Sequence, residues 1–336
     1  IIVALLCKCC SFLPVDLVLM NFSAFIFSLS TVVVYVFVKK KLGKASAFVT
    51  SLTFALTPAY FLHTISGYFD TDAIIAFFSA VIILSQIESF IVDNKREQLL
   101  FCVLSFISLI AFSFAWEAYY TYGLLSVFLT IVLTVLCKAK KLKRDYIIPF
   151  TFSIFTVVFC LLTSANAAVG SLGRTIEKML HGTVWPDEGK YILELAKPKF
   201  LSGGINYSFD IIKTGLVNWS GGFLFFVIFV CALVSSIAYL VKNKYIRYMH
   251  DDEKKAYLFI AAIVAWLLVT IPFVFFGIRF VQYISLPMSL LIGIYVNSLF
   301  KRNEKKKVGA IGFIILYFIC QNIFLLELAK IHQKEI

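Results

Sequence analysis

The chain has 336 residues, of which 61% are hydrophobic, 17% aromatic and only 15% charged, and its formal net charge is +12. No water-soluble fold of this length hides so much apolar surface, so the composition is that of a polytopic membrane protein. The basic excess would suggest nucleic acid in a soluble chain; here the positive-inside rule accounts for it, and no nucleic-acid partner is expected.

The apolar runs approach the ~20 residues that a bilayer requires of a spanning helix. A helix satisfies its own backbone in lipid, and the period-two pattern of a membrane β-barrel is absent, so the fold class is all-α. The opening "IIVALLC" is too short to span and nothing resembles a cleavable signal. The first methionine is Met20, which suggests a chain trimmed at its N-terminus. Spans are then expected at about 16–38, 45–62, 73–92, 99–115, 120–137, 146–164, 220–241, 257–276, 281–299 and 308–326. These make about ten transmembrane helices in a single membrane domain covering 1–336, with no internal repeat.

Most of the basic residues fall in five clusters, "KKKLGK" (39–44), "NKRE" (94–97), "KAKKLKR" (138–144), "KNKYIR…EKK" (242–255) and "KRNEKKK" (301–307). They occupy every second connection, so all five share one side, expected to be cytoplasmic. The remaining connections face outward. They carry "SGYFDTD" (66–72), "FAWEAYYTYG" (114–123), the segment 165–219, "FGIRF" (276–280) and the tail after 327. The third is a long external loop, too long to be a mere connector. None of the spans has an ionisable residue at its centre, and Glu88 sits near a cytoplasmic end. Ion-coupled transporters usually keep such groups at the midplane, so the chemistry is expected at the membrane edge.

The eight cysteines lie mostly in or beside apolar runs and serve as small hydrophobes. The cluster "CKCC" has no nearby histidine and poor zinc spacing, and is assigned no metal.

The outer acids are more informative. In "HTISGYFDTD" (63–72), Asp70 and Asp72 flank Thr71 at the start of a span. One carboxylate there would be a helix cap. Two in an Asp-x-Asp pattern, in so acid-poor a chain, point to a hard divalent cation. In "WPDEGKYILELAKPKF" (185–200), Glu194 stands in an apolar setting, unlike the solvated Asp187 and Glu188. Arg279 is the one charge in "GIRFVQY". It is either a snorkelling anchor or a phosphate clamp, a task that suits a planar guanidinium.

In order and sidedness, "SGYFDTDA", "FAWEAYYTY", "YILELAKPKF" and "GIRFVQYISLP" resemble the catalytic subunit of oligosaccharyltransferase, most closely its archaeal forms. The resemblance runs from about Lys39 to Tyr295. It implies a GT-C-like membrane fold, and transfer of an oligosaccharide from a dolichyl or polyprenyl (pyro)phosphate carrier to the Asn of Asn-x-Ser/Thr, with inversion at the sugar. By that resemblance Asp70, Asp72 and Glu194 hold Mn²⁺ or Mg²⁺, Arg279 holds the carrier's phosphate, and His63 lies near it. Trp116 and Glu117 shape the cleft. The implied partners are the lipid-linked donor, an acceptor polypeptide and membrane lipids. The implied location is the archaeal cell membrane, with the site on its external face.

Some family features depart. The first Asp-x-Asp motif is expected upstream of Ile1, and the Trp-Trp-Asp-Tyr-Gly segment in a C-terminal soluble domain beyond Ile336. One pair of the family's usual thirteen spans has no counterpart, and the external-loop motif is reduced to "YILE". A GT-C transferase that uses polyprenyl-phosphate sugars on lipids would share the acidic pair without a sequon pocket. A lipid-carrier transporter is disfavoured by the empty span centres, and a non-catalytic scaffold by the set Asp70, Asp72, Glu194 and Arg279.

Overall fold

The computed structural model describes residues 14–61, 72–142, 145–163, 222–243, 250–274 and 281–300, with single helical residues between 315 and 323. The described elements are helical, with no strand among them. In chain order they are α1 (Val15–Leu42), α2 (Lys44–Ala55), α3 (Pro58–Phe61), α4 (Asp72–Ile91), α5 (Lys95–Ser113), a 3₁₀ turn (Glu117–Tyr119) and α6 (Tyr120–Ala139). There follow α7 (Ile147–Thr163), α8 (Gly222–Lys242), α9 (Asp251–Val274) and α10 (Val281–Phe300). Six of these (α1, α4, α5, α6, α8 and α9) are long and apolar enough to cross a bilayer, and α7 is a shorter apolar helix. The all-α polytopic architecture expected from composition is thus present.

One expected span is divided. The run 45–62 forms α2 and α3, separated at Leu56 and Thr57. The cause is Pro58: its ring disfavours helical geometry at Thr57, and it has no N–H to continue the ladder. Proline is well suited to the first turn of the helix it starts. The run 308–326 lies largely outside the described residues.

By contacts the chain falls into two compact units. One comprises Ile1–Phe37, His63–Val169 and Ile237–Trp266; the other comprises Val38–Leu62, Gly170–Ser236 and Leu267–Ile336.

The first unit is built around α4, which is buried on almost every side. In a bilayer, polar side chains on such a helix must find partners within the bundle. Gln86 does so on α6, and side chains of α5 and α7 add further bonds to the bundle. Gln86 Nε2 donates to Thr130 Oγ1 of α6 at 2.7 Å, and Ser153 Oγ of α7 donates to the same oxygen at 2.8 Å. Ser105 Oγ of α5 donates to the Ile82 carbonyl at 3.0 Å. Gln98 Nε2 donates to the carbonyls of Ser89, at 2.8 Å, and Asp145, at 2.6 Å.

These bonds also show how α4 to α7 alternate in direction. The end of α4 meets the starts of α5 and α7 around Gln98, and Lys138 at the end of α6 lies over the Tyr146 ring at 5.1 Å. Ion pairs gather at this end, Lys95–Asp145 at 3.2 Å and Lys255–Asp93 at 2.7 Å. The Ile147 N–H and the Lys95 ammonium hold the Asp145 carboxyl below the usual carboxylate range. At the opposite end the start of α4, the end of α5, the start of α6 and the end of α7 meet in aromatic contacts. Asn94 caps α5 by accepting from the Arg96 N–H at 2.9 Å.

In the second unit α2 packs closely along α10. Ser46, Thr50, Thr53 and Thr57 on one side and Ser285, Ser289 and Gly293 on the other make a seam of small residues. Such seams let helix backbones approach where water gives no hydrophobic drive. A Cβ on Gly293 would lie 1.8 Å from Thr50 Oγ1 and 3.2 Å from the Ser46 carbonyl oxygen. Threonine is β-branched and stiff in a helix, so its hydroxyl has little room to yield. Gly293→Ala is therefore expected to cost about 1–3 kcal/mol through overpacking. Thr50→Ala in the same chain should restore most of the loss, as read by thermal unfolding in detergent. An unchanged melting temperature for Gly293→Ala would mean the seam is looser than described.

Candidate functional site

Asp72 opens α4, and its side chain is 2% exposed. A helix begins here because a carboxylate in the first turn complements the positive end of the dipole and the free N–H groups. The residues after it, Ala73, Ile74, Ile75 and Ala76, are all buried, so the first turn of α4 is embedded in its unit and not frayed at its rim. The other sequence-derived site residues, His63, Asp70, Glu194 and Arg279, lie outside the described residues. Of the expected constellation, Asp72 is thus the member given a position. Among the described residues no group of three or more His, Cys, Asp or Glu side chains is placed to hold a metal ion.

The described residues do fix the points from which the other candidates depart. In the first unit, the Tyr119 hydroxyl is hydrogen-bonded to Thr163 Oγ1 at the end of α7, where the chain enters the long segment carrying Glu194. Tyr119 also rests against Phe159, with ring centroids 5.9 Å apart. In the second unit, the buried Tyr60 hydroxyl donates to the Gln282 carbonyl at 3.0 Å. Tyr60 stands three residues before His63, and Gln282 three after Arg279. Phe54 supports the Tyr60 ring edge-on at 5.3 Å. Positions three residues in sequence from His63 and from Arg279 are therefore bonded to each other.

Sequence reasoning missed this pair. Tyr60 and Gln282 lie 222 residues apart, and no local pattern announces a contact at that separation. It also left Trp116 with no more than a shaping role. Trp116 stacks on Phe112 with centroids 5.4 Å apart, and Phe112 stacks on Phe78 of α4 at 5.2 Å. The spacing of Phe112 and Trp116, four residues apart at a helix end, was the available signal.

Asp70, Asp72 and Glu194 are all carboxylates, which suit a hard divalent cation such as Mn²⁺ or Mg²⁺. The buried setting of Asp72 reduces competition from water for its oxygens.

Known proteins agree with the fold. The chain resembles the crystal structure of the Archaeoglobus fulgidus oligosaccharyltransferase in complex with Zn and sulfate, with a TM-score of 0.62 and 15% identity over 93% of this chain and 41% of that one. It also resembles the archaeal oligosaccharyltransferase AglB from the same organism, in complex with an inhibitory peptide and a dolichol-phosphate, with a TM-score of 0.58 and 12% identity over 93% of this chain and 44% of that one. At these identities the likeness is one of fold, and the chain spans less than half the length of either structure. No curated protein sequence matches it. The family model described as oligosaccharyl transferase STT3, N-terminal, matches residues 5–331. With that match along nearly its whole length, the chain belongs to the STT3 oligosaccharyl transferase family.

Proposed function

We propose that this chain is the membrane catalytic core of an oligosaccharyltransferase. It transfers an oligosaccharide from a dolichyl or polyprenyl phosphate or pyrophosphate carrier to the asparagine of an Asn-x-Ser/Thr sequon. The observation that carries the reading is the family match over residues 5–331, joined to an Asp-Thr-Asp whose second acid opens a buried helix. The dolichol-phosphate and peptide held by one structural relative support a lipid-linked donor and a peptide acceptor, and the zinc in the other supports a divalent cation. In this reading residues 1–336 act as one transmembrane domain. The segment 165–219 then lies on the outer side of an archaeal cell membrane, where donor and acceptor meet.

Asp70, Asp72 and Glu194 would hold Mn²⁺ or Mg²⁺, which when bound neutralises the charge developing on the departing phosphate. The chain's own residues do the rest. Arg279 offers the phosphate a planar fork of charge-assisted hydrogen bonds, and His63 adds a contact to the same group. The acceptor amide is a poor nucleophile because its nitrogen lone pair is delocalised into the carbonyl. Carboxylates that accept hydrogen bonds from its NH₂ weaken that conjugation, and Glu194 is the residue placed by sequence to reach both cation and asparagine. Attack on C1 from the face opposite the phosphate inverts the anomeric centre.

The role of Asp72 can be separated from helix capping. Asn serves a helix N-terminus about as well as Asp, so Asp72→Asn should leave the melting temperature in detergent unchanged. It removes a charged ligand, so transfer to an Asn-x-Thr peptide by the complete gene product should fall at least about a hundredfold, the scale of losing one electrostatic stabiliser. Full transfer by Asp72→Asn would reduce the residue to a cap.

Sidedness gives a second expectation. Cysteine labelling in intact cells should reach residues substituted at Asp70 and Glu194 from outside, and those at Lys140, Lys244 and Lys305 only after the membrane is opened. Labelling of position 70 only from the cytoplasm would sink the external-donor reading.

A further inference from the structure

One group of ring contacts in the first unit, reaching from Trp116 through Phe112 to α4, differs in kind from its neighbours. Phe78, Phe112 and Trp116 form a continuous three-ring stack, with interplanar angles of 21° and 25°. The other ring pairs among the described residues meet tilted or edge-on, including the adjoining Phe112–Tyr122 at 53° and Trp116–Tyr122 at 54°. The middle ring is fully buried, and the end rings are half-buried. Parallel faces permit little rotation of one ring against the next without loss of overlap, whereas edge contacts tolerate it. The stack crosses three pieces of chain: α4, the last turn of α5, and the connection before the 3₁₀ turn.

That connection is itself held. The Trp116 N–H donates to the Phe112 carbonyl at 3.0 Å, and the Tyr119 N–H donates to the Trp116 carbonyl at 3.3 Å. Beyond it, Tyr122 of α6 is 1% exposed and touches both Phe112 and Trp116. Phe78 lies six residues after Asp72 on one helix, roughly 9 Å along its axis. A continuous helix transmits rotation and slide over that distance with little loss.

We infer that Trp116 is a positioning residue: through the Phe78–Phe112–Trp116 stack it sets the rotation and height of the first turn of α4, and so the carboxylate of Asp72. The inference rests on the proposed metal-holding role of Asp72. Its consequence is specific. Loss of the stack weakens the cation site more than it weakens the fold, as happens when a group that orients a ligand is removed.

The test is a Mn²⁺ titration followed by electron paramagnetic resonance, on the complete gene product in lipid nanodiscs, with its thermal unfolding read alongside. Trp116→Leu keeps an apolar side chain and removes the ring; Phe78→Leu does the same at the other end of the stack. Both should raise the apparent Kd for Mn²⁺ by about tenfold. Trp116→Phe, which keeps a stacking ring, should bind like the parent. Phe101→Leu removes a tilted contact to Phe37 (6.0 Å, 52°) in the half of α5 nearer Lys95, and should lower the melting temperature without moving Kd. Parent-like Mn²⁺ binding by Trp116→Leu would overturn the inference. So would an equal loss in Phe101→Leu, which would make the effect general loosening. A parent that binds no Mn²⁺ would overturn the metal reading of Asp72, and this inference with it.

Discussion

Inside a bilayer no water reaches the centre of a helix bundle, so a polar side chain that α4 carries inward is costly unless it finds a partner within the protein. That requirement organises the first unit. Gln86 gives a bond to α6, and the Ile82 and Ser89 carbonyls each take one from α5, so α5 and α6 are held to α4 in definite register and α7 is joined to them through Thr130. Thr130 is the junction, accepting from both Gln86 and Ser153. Interhelical bonds of this kind contribute about 0.6–2 kcal/mol each in membranes. Their larger effect is on uniqueness, because a rotated α4 would leave several buried groups without partners at once.

The two ends of that unit use different forces. The end with Lys95, Lys138 and Asp145 relies on charge, in ion pairs that are partly solvated and screened by salt. The other end, where Asp72 sits, is held by aromatic stacking and by the hydroxyls of Tyr119 and Thr163. Ring contacts are insensitive to ionic strength and leave the local field to the few charges present. For the cation and phosphate site proposed above, a support without charge of its own is the better foundation.

The fold was largely legible because a bilayer imposes length and polarity on each run. Even so, the run 45–62 was expected as one span. Its apolar content was right, but Thr57–Pro58 interrupts the backbone ladder, and a window of hydropathy does not register a missing N–H. Burial was less legible. The sequences of α4 and α8 are both strongly apolar, yet α4 is enclosed by protein and α8 exposes much of its surface. Lipid and protein interior are similar solvents for leucine and phenylalanine, so composition does not tell them apart. The distinguishing signal was polar: α4 carries Ser79, Ser85, Gln86, Glu88 and Ser89, all buried. Of the expected site, Asp72 is the residue that the structure describes, at the start of α4 where the motif put it; the other members lie outside the described residues. The supporting contacts were not legible, since Tyr60 with Gln282 and Phe78 with Phe112 are pairs created by tertiary structure.

The empty span centres gain a physical meaning from these supports. A transporter changes its access by moving helices past one another, and buried polar networks resist such sliding. Here the hydrogen bonds of Gln86 and Gln98 and the tight seam between α2 and α10 lock helices within each unit. Helices fixed in this way suit chemistry carried out at their ends, where the buried first turn of α4 presents the Asp72 carboxylate.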